Sequence, residues 1–181
     1  GVMEAWPPLN FVDNQGIPKG IGVDYINALN KRLNNILKIV PAHFASNYNA
    51  VKDKHLAALM DITRREEREP FFHFTTPYLT IPHVIVGHKD GSYFASEKDL
   101  TGHTIALERG FFNVTYFKKT YPGIGIKEYE STSAALGAVL RRKADAYVGN
   151  RTVATYLMKQ EIMTGLEIQG RTEKPPVELS I

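Results

Sequence analysis

The segment from Arg64 to Glu69 carries three arginines and three glutamates. The planar guanidinium group of an arginine such as Arg68 can pair with a carboxylate through two parallel hydrogen bonds. A charge-assisted bond of this kind contributes about 1.5 to 3 kcal/mol. Taken by itself, however, a run of mixed charges is more typical of a solvated surface, so this pattern alone does not assign a site.

Three other positions have roles that their local sequence suggests. The turn from Gly110 to Phe112 precedes a predicted helix, whose first backbone N–H groups could hold an anionic group. Asn150 precedes another predicted helix, where asparagine is a natural N-cap. Trp6 stands before two prolines in a predicted loop, and packing into the core is one role open to its ring.

The sequence lacks the motifs of the common catalytic and metal sites. Its six histidines form no HExxH pattern or other tight ligand spacing, and the absence of cysteine excludes disulfides, thiol nucleophiles and thiolate metal sites. There is no GxSxG elbow and no GxxxxGK[ST] loop. We therefore predict no catalytic residue, no metal site and no cofactor.

The composition is that of a soluble globular protein, with 43% hydrophobic and 23% charged residues in 181 positions. The net charge of +3 does not indicate a nucleic-acid partner, because the basic residues alternate with acidic ones. No apolar run approaches the roughly 20 residues that a membrane-spanning helix needs, and the first residues do not resemble a signal peptide. The chain is therefore expected to be mature or excised from a longer one.

The first eighty residues show a mixed pattern. We predict a strand at the start of Val2 to Phe11, a helix capped by Asp24, a strand over Ile36 to Val40 and a second helix over Asn49 to Leu56.

From His83 onward, short apolar strands alternate with amphipathic helices, which indicates a largely parallel sheet with ligand-binding turns beyond the carboxyl ends of its strands. The predicted strands are His83 to Gly87, Thr104 to Leu107, Ile126 to Tyr129, Ala144 to Val148 and Leu166 to Gln169. The predicted helices are Phe112 to Lys119, Ser133 to Arg141, with Ser131 or Thr132 as its cap, and Arg151 to Gln160.

Three stretches together resemble the family-3 bacterial extracellular solute-binding proteins, whose type II periplasmic-binding fold also forms the Venus-flytrap sensor modules of membrane kinases. The first stretch is Ala5-Trp-Pro-Pro-Leu-Asn-Phe-Val-Asp-Asn-Gln-Gly16 with Gly20-Ile-Gly-Val-Asp-Tyr-Ile-Asn-Ala-Leu29. The second is Asp61-Ile-Thr-Arg-Arg-Glu-Glu-Arg68 with Phe74-Thr-Thr-Pro-Tyr78. The third is Asp99-Leu-Thr-Gly102, Ile105-Ala-Leu-Glu-Arg-Gly110 and Ala144-Asp-Ala-Tyr-Val-Gly-Asn150.

The resemblance implies an α/β fold with two lobes, each a mostly parallel sheet flanked by helices, joined by two crossover strands. Lobe one would comprise residues 1–84 plus 175–181 and lack part of the family's C-terminal elements, and lobe two would comprise residues 85–174. A ligand would lie in the cleft between the lobes, which would close by a hinge motion.

The resemblance also implies roles for individual residues. Arg68 and Thr63 match positions that hold the ligand's carboxylate, and Asp61 matches a position that often presents a backbone carbonyl. Trp6 and Phe44 match aromatic walls in lobe one. In lobe two, Phe111 and Phe112 replace the small hydroxyl residues usual at that turn, and Asn150 replaces an aspartate that receives the ligand's ammonium group.

The function that the resemblance implies is extracytoplasmic binding of an amino acid or other small carboxylate, without enzymatic activity. We expect the chain to be periplasmic and, in the full-length protein, tethered to the inner membrane. It would serve as the sensor input domain of a transmembrane receptor, and two copies could form a homodimer through that receptor. A binding protein for an ABC-transporter permease is the alternative. A cyclohexadienyl-dehydratase-like enzyme, for which Asp61, Glu108 and Glu4 are the available acids, and a regulatory module of a lytic transglycosylase are further alternatives.

Overall fold

A computed structural model describes residues 1–181 as two compact units. Unit 1 comprises Gly1–Thr80 and Glu178–Ile181, and unit 2 comprises Ile81–Val177. The sequence predicts the boundaries at about residues 84 and 175. Strands β6 (Leu79–Ile81) and β12 (Val177–Leu179), which contain the two passages between the units, pair with each other.

Unit 1 contains two small sheets and two helices. Strand β1 (Val2–Met3) pairs in parallel with β5 (Pro41–Ala42), and an antiparallel sheet joins β2 (Ala5–Trp6), β3 (Asn10–Val12) and β4 (Pro18–Lys19). The helices are α1 (Ile21–Arg32) and α2 (Phe44–Lys52), and a 3-10 turn covers Glu66–Arg68.

Helix α1 begins three residues before the predicted cap at Asp24. Gly20 is its N-cap, with φ 117, a conformation that favours glycine. The first N–H groups of the helix donate to backbone carbonyls, that of Ile21 to Pro8 and that of Gly22 to Leu9. The prediction of Asp24 as a cap was therefore wrong, and its charge instead lies in the first turn, where it suits the helix dipole.

Two other predictions in unit 1 were also wrong. No strand forms over Ile36 to Val40, because the side chain of Asn30 bonds both the N–H and the carbonyl of Leu37 and closes a loop there. Helix α2 starts five residues earlier than predicted and ends at Lys52, after which Lys54 adopts a left-handed conformation with φ 63.

Unit 2 contains a five-stranded sheet in the order β11-β7-β10-β8-β9. Its strands are β7 (His83–His88), β8 (Thr104–Glu108), β9 (Gly125–Tyr129), β10 (Ala146–Asn150) and β11 (Leu166–Arg171). Its helices are α3 (Phe112–Thr120), α4 (Thr132–Leu140) and α5 (Arg151–Gln160). The predicted alternation of strands and helices in this region is confirmed, and Ser131, not Thr132, caps α4.

The α/β fold class is confirmed, but the sheets are mixed and not mostly parallel. In unit 2, β10–β8 and β8–β9 are parallel, whereas β7 is antiparallel to both of its neighbours, β10 and β11. The segment between β7 and β8 holds only a short 3-10 turn, Glu97–Leu100, and no crossover helix. A strand that runs opposite to its neighbours does not need such a helix.

One hydrophobic cluster in the core of unit 2 lies between the sheet and α3. Its members are fully or almost fully buried: Ile85, Phe94, Leu100, Ile105, Leu107, Val114, Phe117, Ile124, Ala146 and Val148. None of the five helices, which span nine to twelve residues, has the length and apolar character needed to cross a membrane.

Replacing Leu107, which is 0% exposed in this core, tests the packing of the sheet. We expect Leu107→Ala to lower the free energy of unfolding by about 2 to 5 kcal/mol, because the change loses buried surface and leaves a cavity. Ile36→Ala is the control, since Ile36 is 74% exposed and should change that free energy by no more than about 0.5 kcal/mol. Denaturant titration measures both, and equal losses in the two variants would contradict the packing.

Candidate functional site

The guanidinium group of Arg68 lies in a partly buried, aromatic environment in unit 1. It ends the 3-10 turn, and its Nη1 donates to the carbonyl oxygen of Thr63 at 2.8 Å. The guanidinium carbon is 5.8 Å from the ring centre of Phe44 and 5.7 Å from that of Tyr48. Burial lowers the pKa of Arg68. The bond to Thr63 uses one of five N–H donors, so the group is suited to bind an anion as well.

Arg65 is a second cation of this region that the sequence did not single out. It is half-buried, and its pKa is lowered by burial and by the charge of Arg68. By contrast, Arg64 is exposed and pairs with Glu69 at 2.8 Å. The three-residue spacing of Arg65 and Arg68 in a turn was the available signal, because residues three apart lie on the same side of a 3-10 turn. We refer to Arg65, Arg68, Thr63, Phe44 and Tyr48 as the Arg68 group.

Asp61 is only two residues before Thr63 in the sequence, but its carboxylate points into the interior of unit 1. The residue is 5% exposed, and its two oxygens accept hydrogen bonds from Asn10 Nδ2 and from the Tyr78 hydroxyl. Burial raises the pKa of Asp61 to about 6, and the bond from Tyr78 opposes that rise. The ring of Tyr78 stacks on Tyr25 with 4.6 Å between ring centres. The carboxylate therefore has a structural role in this unit.

The predicted aromatic walls occupy different environments. Trp6 is 8% exposed and lies on β2, where it pairs in register with Asn10 on β3. Phe44 begins α2 and packs against a buried cluster, with its ring centre 6.0 Å from that of Tyr48. The contact of the Trp6 and Phe44 rings with a ligand stays a prediction.

In unit 2, the turn after β8 carries the predicted phenylalanines. Gly110 has φ 76, Phe111 is the N-cap of α3, and Phe112 is its first residue. Phe111 is half-buried and Phe112 is 42% exposed, whereas Phe117 in the same helix is fully buried in the core. The contact of Phe111 and Phe112 with a ligand stays a prediction.

Asn150 caps α5, as its position before the helix predicted. Its Oδ1 accepts a hydrogen bond from the N–H of Val153 at 3.1 Å. The residue is 5% exposed, and its Nδ2 atom has no hydrogen-bond partner within the chain. A buried amide donor without a partner costs free energy, so this atom is suited to bond an acceptor on a ligand.

The sequence also missed a cation in unit 2. Lys174 Nζ donates to Asn113 Oδ1 at 2.5 Å and lies 5.1 Å from the ring centre of Phe112. No local pattern links Lys174 to α3, since sixty-one positions separate it from Asn113. The structure contains no group of three or more His, Cys, Asp or Glu residues arranged to hold a metal ion.

Comparison with known proteins identifies related chains. The family model described as bacterial extracellular solute-binding proteins, family 3, matches residues 1–163. The virulence sensor protein BvgS of Bordetella pertussis is 28% identical over 114 residues, which are 63% of this chain and 9% of that protein. The probable amino-acid-binding protein YxeM of Bacillus subtilis is 28% identical over 165 residues, which are 90% of this chain and 61% of that protein.

A solved structure described as an ancestral arginine-binding protein bound to arginine has a TM-score of 0.82 and 26% sequence identity, over 99% of this chain and 82% of that chain. The chain spans less than two thirds of the length of BvgS and of YxeM.

The pH dependence of folding tests the placement of Asp61. Its pKa is about 6 in the folded chain against a reference value of 3.8, so the folded state binds the proton more tightly. Its contribution to stability is therefore complete below pH 3.8 and is lost as the pH rises towards 6. Relative to Asp61→Asn, which cannot titrate there, we expect the free energy of unfolding to fall by roughly 3 kcal/mol between about pH 3 and about pH 7, with most of the loss between the two pKa values. Denaturant titrations across this range measure the difference, and parallel profiles would contradict a buried, titrating Asp61.

Proposed function

Because the chain belongs to the bacterial extracellular solute-binding proteins of family 3, we propose that it binds an amino acid or another small carboxylate and does not act as an enzyme. The observation that carries the proposal is the Arg68 group, in which a half-buried guanidinium is oriented by the Thr63 carbonyl and two aromatic rings. Partial removal from water strengthens the attraction between such a cation and an anion. Arg68 would bind the carboxylate, with Thr63 and Arg65 beside it.

The proposal includes the cleft and the hinge closure that the family resemblance implies. Trp6 and Phe44 would contribute apolar walls from unit 1. The turn of Phe111 and Phe112, together with Asn150, would contribute contacts from unit 2. A ligand that binds the closed state better than the open one shifts the population towards closure.

We further propose that the chain is an extracytoplasmic sensor domain of a membrane-anchored receptor, in which a homodimer can form. The similarity to BvgS, a virulence sensor protein, supports this role. The similarity to YxeM, a probable amino-acid-binding protein, supports the alternative of a transport-binding protein that delivers its ligand to a permease. Both roles place the chain outside the cytoplasm.

The acids available for a dehydratase mechanism are engaged elsewhere. Asp61 accepts two internal hydrogen bonds, and buried Glu108 accepts hydrogen bonds from Thr132 and Tyr147. Glu4 lies 3.2 Å from the exposed ring of His43. A general acid must instead reach the leaving group of its substrate. The engagement of these acids favours binding over catalysis, and no feature of the chain specifically favours the transglycosylase module.

A ligand screen with an arginine variant tests the proposed carboxylate binding. Ligands that bind only the folded state raise its stability, by about 2.7 kcal/mol at a hundredfold excess over Kd. We expect at least one amino acid or small carboxylate to raise the melting temperature of the wild type. Arg68→Ala should weaken binding of that compound by roughly tenfold to a hundredfold, because a charge-assisted bond is lost.

Arg64→Ala is the matched control, since this neighbouring side chain is 70% exposed and pairs with Glu69. It should leave the affinity within about threefold of the wild type. The melting temperature without ligand separates loss of binding from loss of folding. Equal affinities of Arg68→Ala and the wild type would remove Arg68 from the site.

The coding sequence downstream of residue 181 tests the signalling role. A transmembrane segment followed by a kinase or cyclase domain is the expected result for a sensor. A stop codon after a short tail would instead support the transport role and contradict the sensor role.

A further inference from the structure

Three polar side chains lie next to one another at one end of strands β11, β7 and β10 of unit 2. His83 on β7 pairs in register with Asn150 on β10, and the N–H of Thr172, just after β11, donates to the carbonyl of His83 at 3.3 Å. Each has a buried atom without a hydrogen-bond partner within the chain, namely Asn150 Nδ2, His83 Nδ1 and Thr172 Oγ1. We refer to these three residues as the Asn150 row. Because buried polar groups are almost always hydrogen-bonded, the row is suited to hold a polar group from outside the chain.

The side-chain amide of Asn150 can be oriented in only one way. Its Oδ1 caps α5 by accepting the N–H of Val153 at 3.1 Å, and the reversed amide would set one donor against another. The atom left over is therefore Nδ2, which can donate two hydrogen bonds and accept none. An acceptor oxygen satisfies this atom, whereas an ammonium group, which also only donates, leaves it without a partner.

The carboxyl group of the neighbouring strand does not belong to the row. Glu108, the last residue of β8, accepts hydrogen bonds from Thr132 and Tyr147, and burial raises the pKa of its carboxyl. Side chains alternate along a strand, so Tyr147 and Asn150, three positions apart on β10, point to opposite faces of the sheet. Glu108 thus lies on the face opposite to Asn150.

The Asn150 row itself carries no charge near neutral pH. Burial, followed by the charge of Lys174, lowers the pKa of His83 to about 3, so its ring is neutral. The buried carboxylate of Glu97 accepts hydrogen bonds from the N–H groups of Glu173 and Lys174. An ammonium group at the row would meet an amide donor, a neutral imidazole and a hydroxyl group, which compensate the loss of water around a cation less well than a carboxylate does.

We propose that the Asn150 row binds a hydrogen-bond acceptor of the ligand and does not receive an ammonium group, so that the chain binds small carboxylates without an α-amino group at least as tightly as the matching amino acids. This inference rests on the proposed function, and only groups of unit 2 are involved. The ligand class is thereby narrowed to acids that can present an oxygen to Asn150, such as 2-hydroxy and 2-oxo acids.

Matched pairs of probes test this preference. The pairs are L-alanine with L-lactate, L-leucine with L-2-hydroxyisocaproate, L-glutamate with L-2-hydroxyglutarate and L-arginine with argininic acid. Each pair keeps the carboxylate and the side chain and replaces the ammonium group by a hydroxyl group, which can accept a hydrogen bond. For every amino acid that binds the wild type, we expect the hydroxy acid to have a Kd no more than about threefold higher, by calorimetry at neutral pH.

A single variant reverses the chemistry of the row while it retains the helix cap. In Asn150→Asp the cap is kept, because aspartate caps helices about as well as asparagine, and the new carboxylate can accept from an ammonium group. The variant should therefore bind the amino acid of a pair roughly tenfold or more tightly than its hydroxy acid. Asn27→Asp is the matched control, since Asn27 is exposed on α1 in unit 1, and it should leave the ratio within about threefold of the wild type.

The outcomes separate this inference from the proposed function. A wild-type preference of more than about threefold for an amino acid over its hydroxy acid, with binding that depends on Arg68, would refute only the role of the row. An unchanged ratio in Asn150→Asp would mean that the row holds solvent alone and would likewise refute that role. If a different small carboxylate binds instead, its amino or hydroxy counterpart completes the decisive pair. If no amino acid or small carboxylate binds the wild type, the proposed function itself fails. The wild-type ratios decide the matter even if Asn150→Asp does not fold.

Discussion

Removal of a charge from water is unfavourable unless hydrogen bonds or an opposite charge compensate it, and this constraint determines where each ionisable group of the chain lies. The carboxylate of Glu97 is 1% exposed because two backbone N–H groups bond it. That of Asp61 is 5% exposed because Asn10 and Tyr78 bond it, and its pKa is nevertheless raised. Glu97 and Asp61 thus connect separate segments of the chain by hydrogen bonds inside unit 2 and unit 1, respectively.

The cations follow a different arrangement. Arg65, Arg68 and Lys174 are only partly buried, and their partners in the chain include a carbonyl, an amide oxygen and aromatic rings. Such partners orient a cation, whereas Arg64 on the surface pairs with a carboxylate. The division between inward acids and partly exposed cations connects the architecture of the chain with the proposed binding of carboxylates.

The predicted site residues occupy different environments in the structure. Arg68 and Thr63 lie together, as carboxylate capture requires. The side chain of Asp61, next to them in sequence, is turned into unit 1, where a left-handed backbone with φ 57 directs it. Asn150 both caps α5 and retains a donor without a partner, so a structural role and a binding role are compatible in one residue.

The sequence by itself determined the alternation of strands and helices in unit 2 and the N-cap role of Asn150, because hydrophobic period and capping are local properties of the chain. It left the cap of α4 open between Ser131 and Thr132. It failed over Ile36 to Val40, where two bonds from Asn30 close a loop. Only the tertiary structure decided the reversed direction of β7 and the meeting of Lys174 with α3. Strand pairing and contacts between residues sixty or more positions apart depend on how the elements pack, which no local pattern encodes.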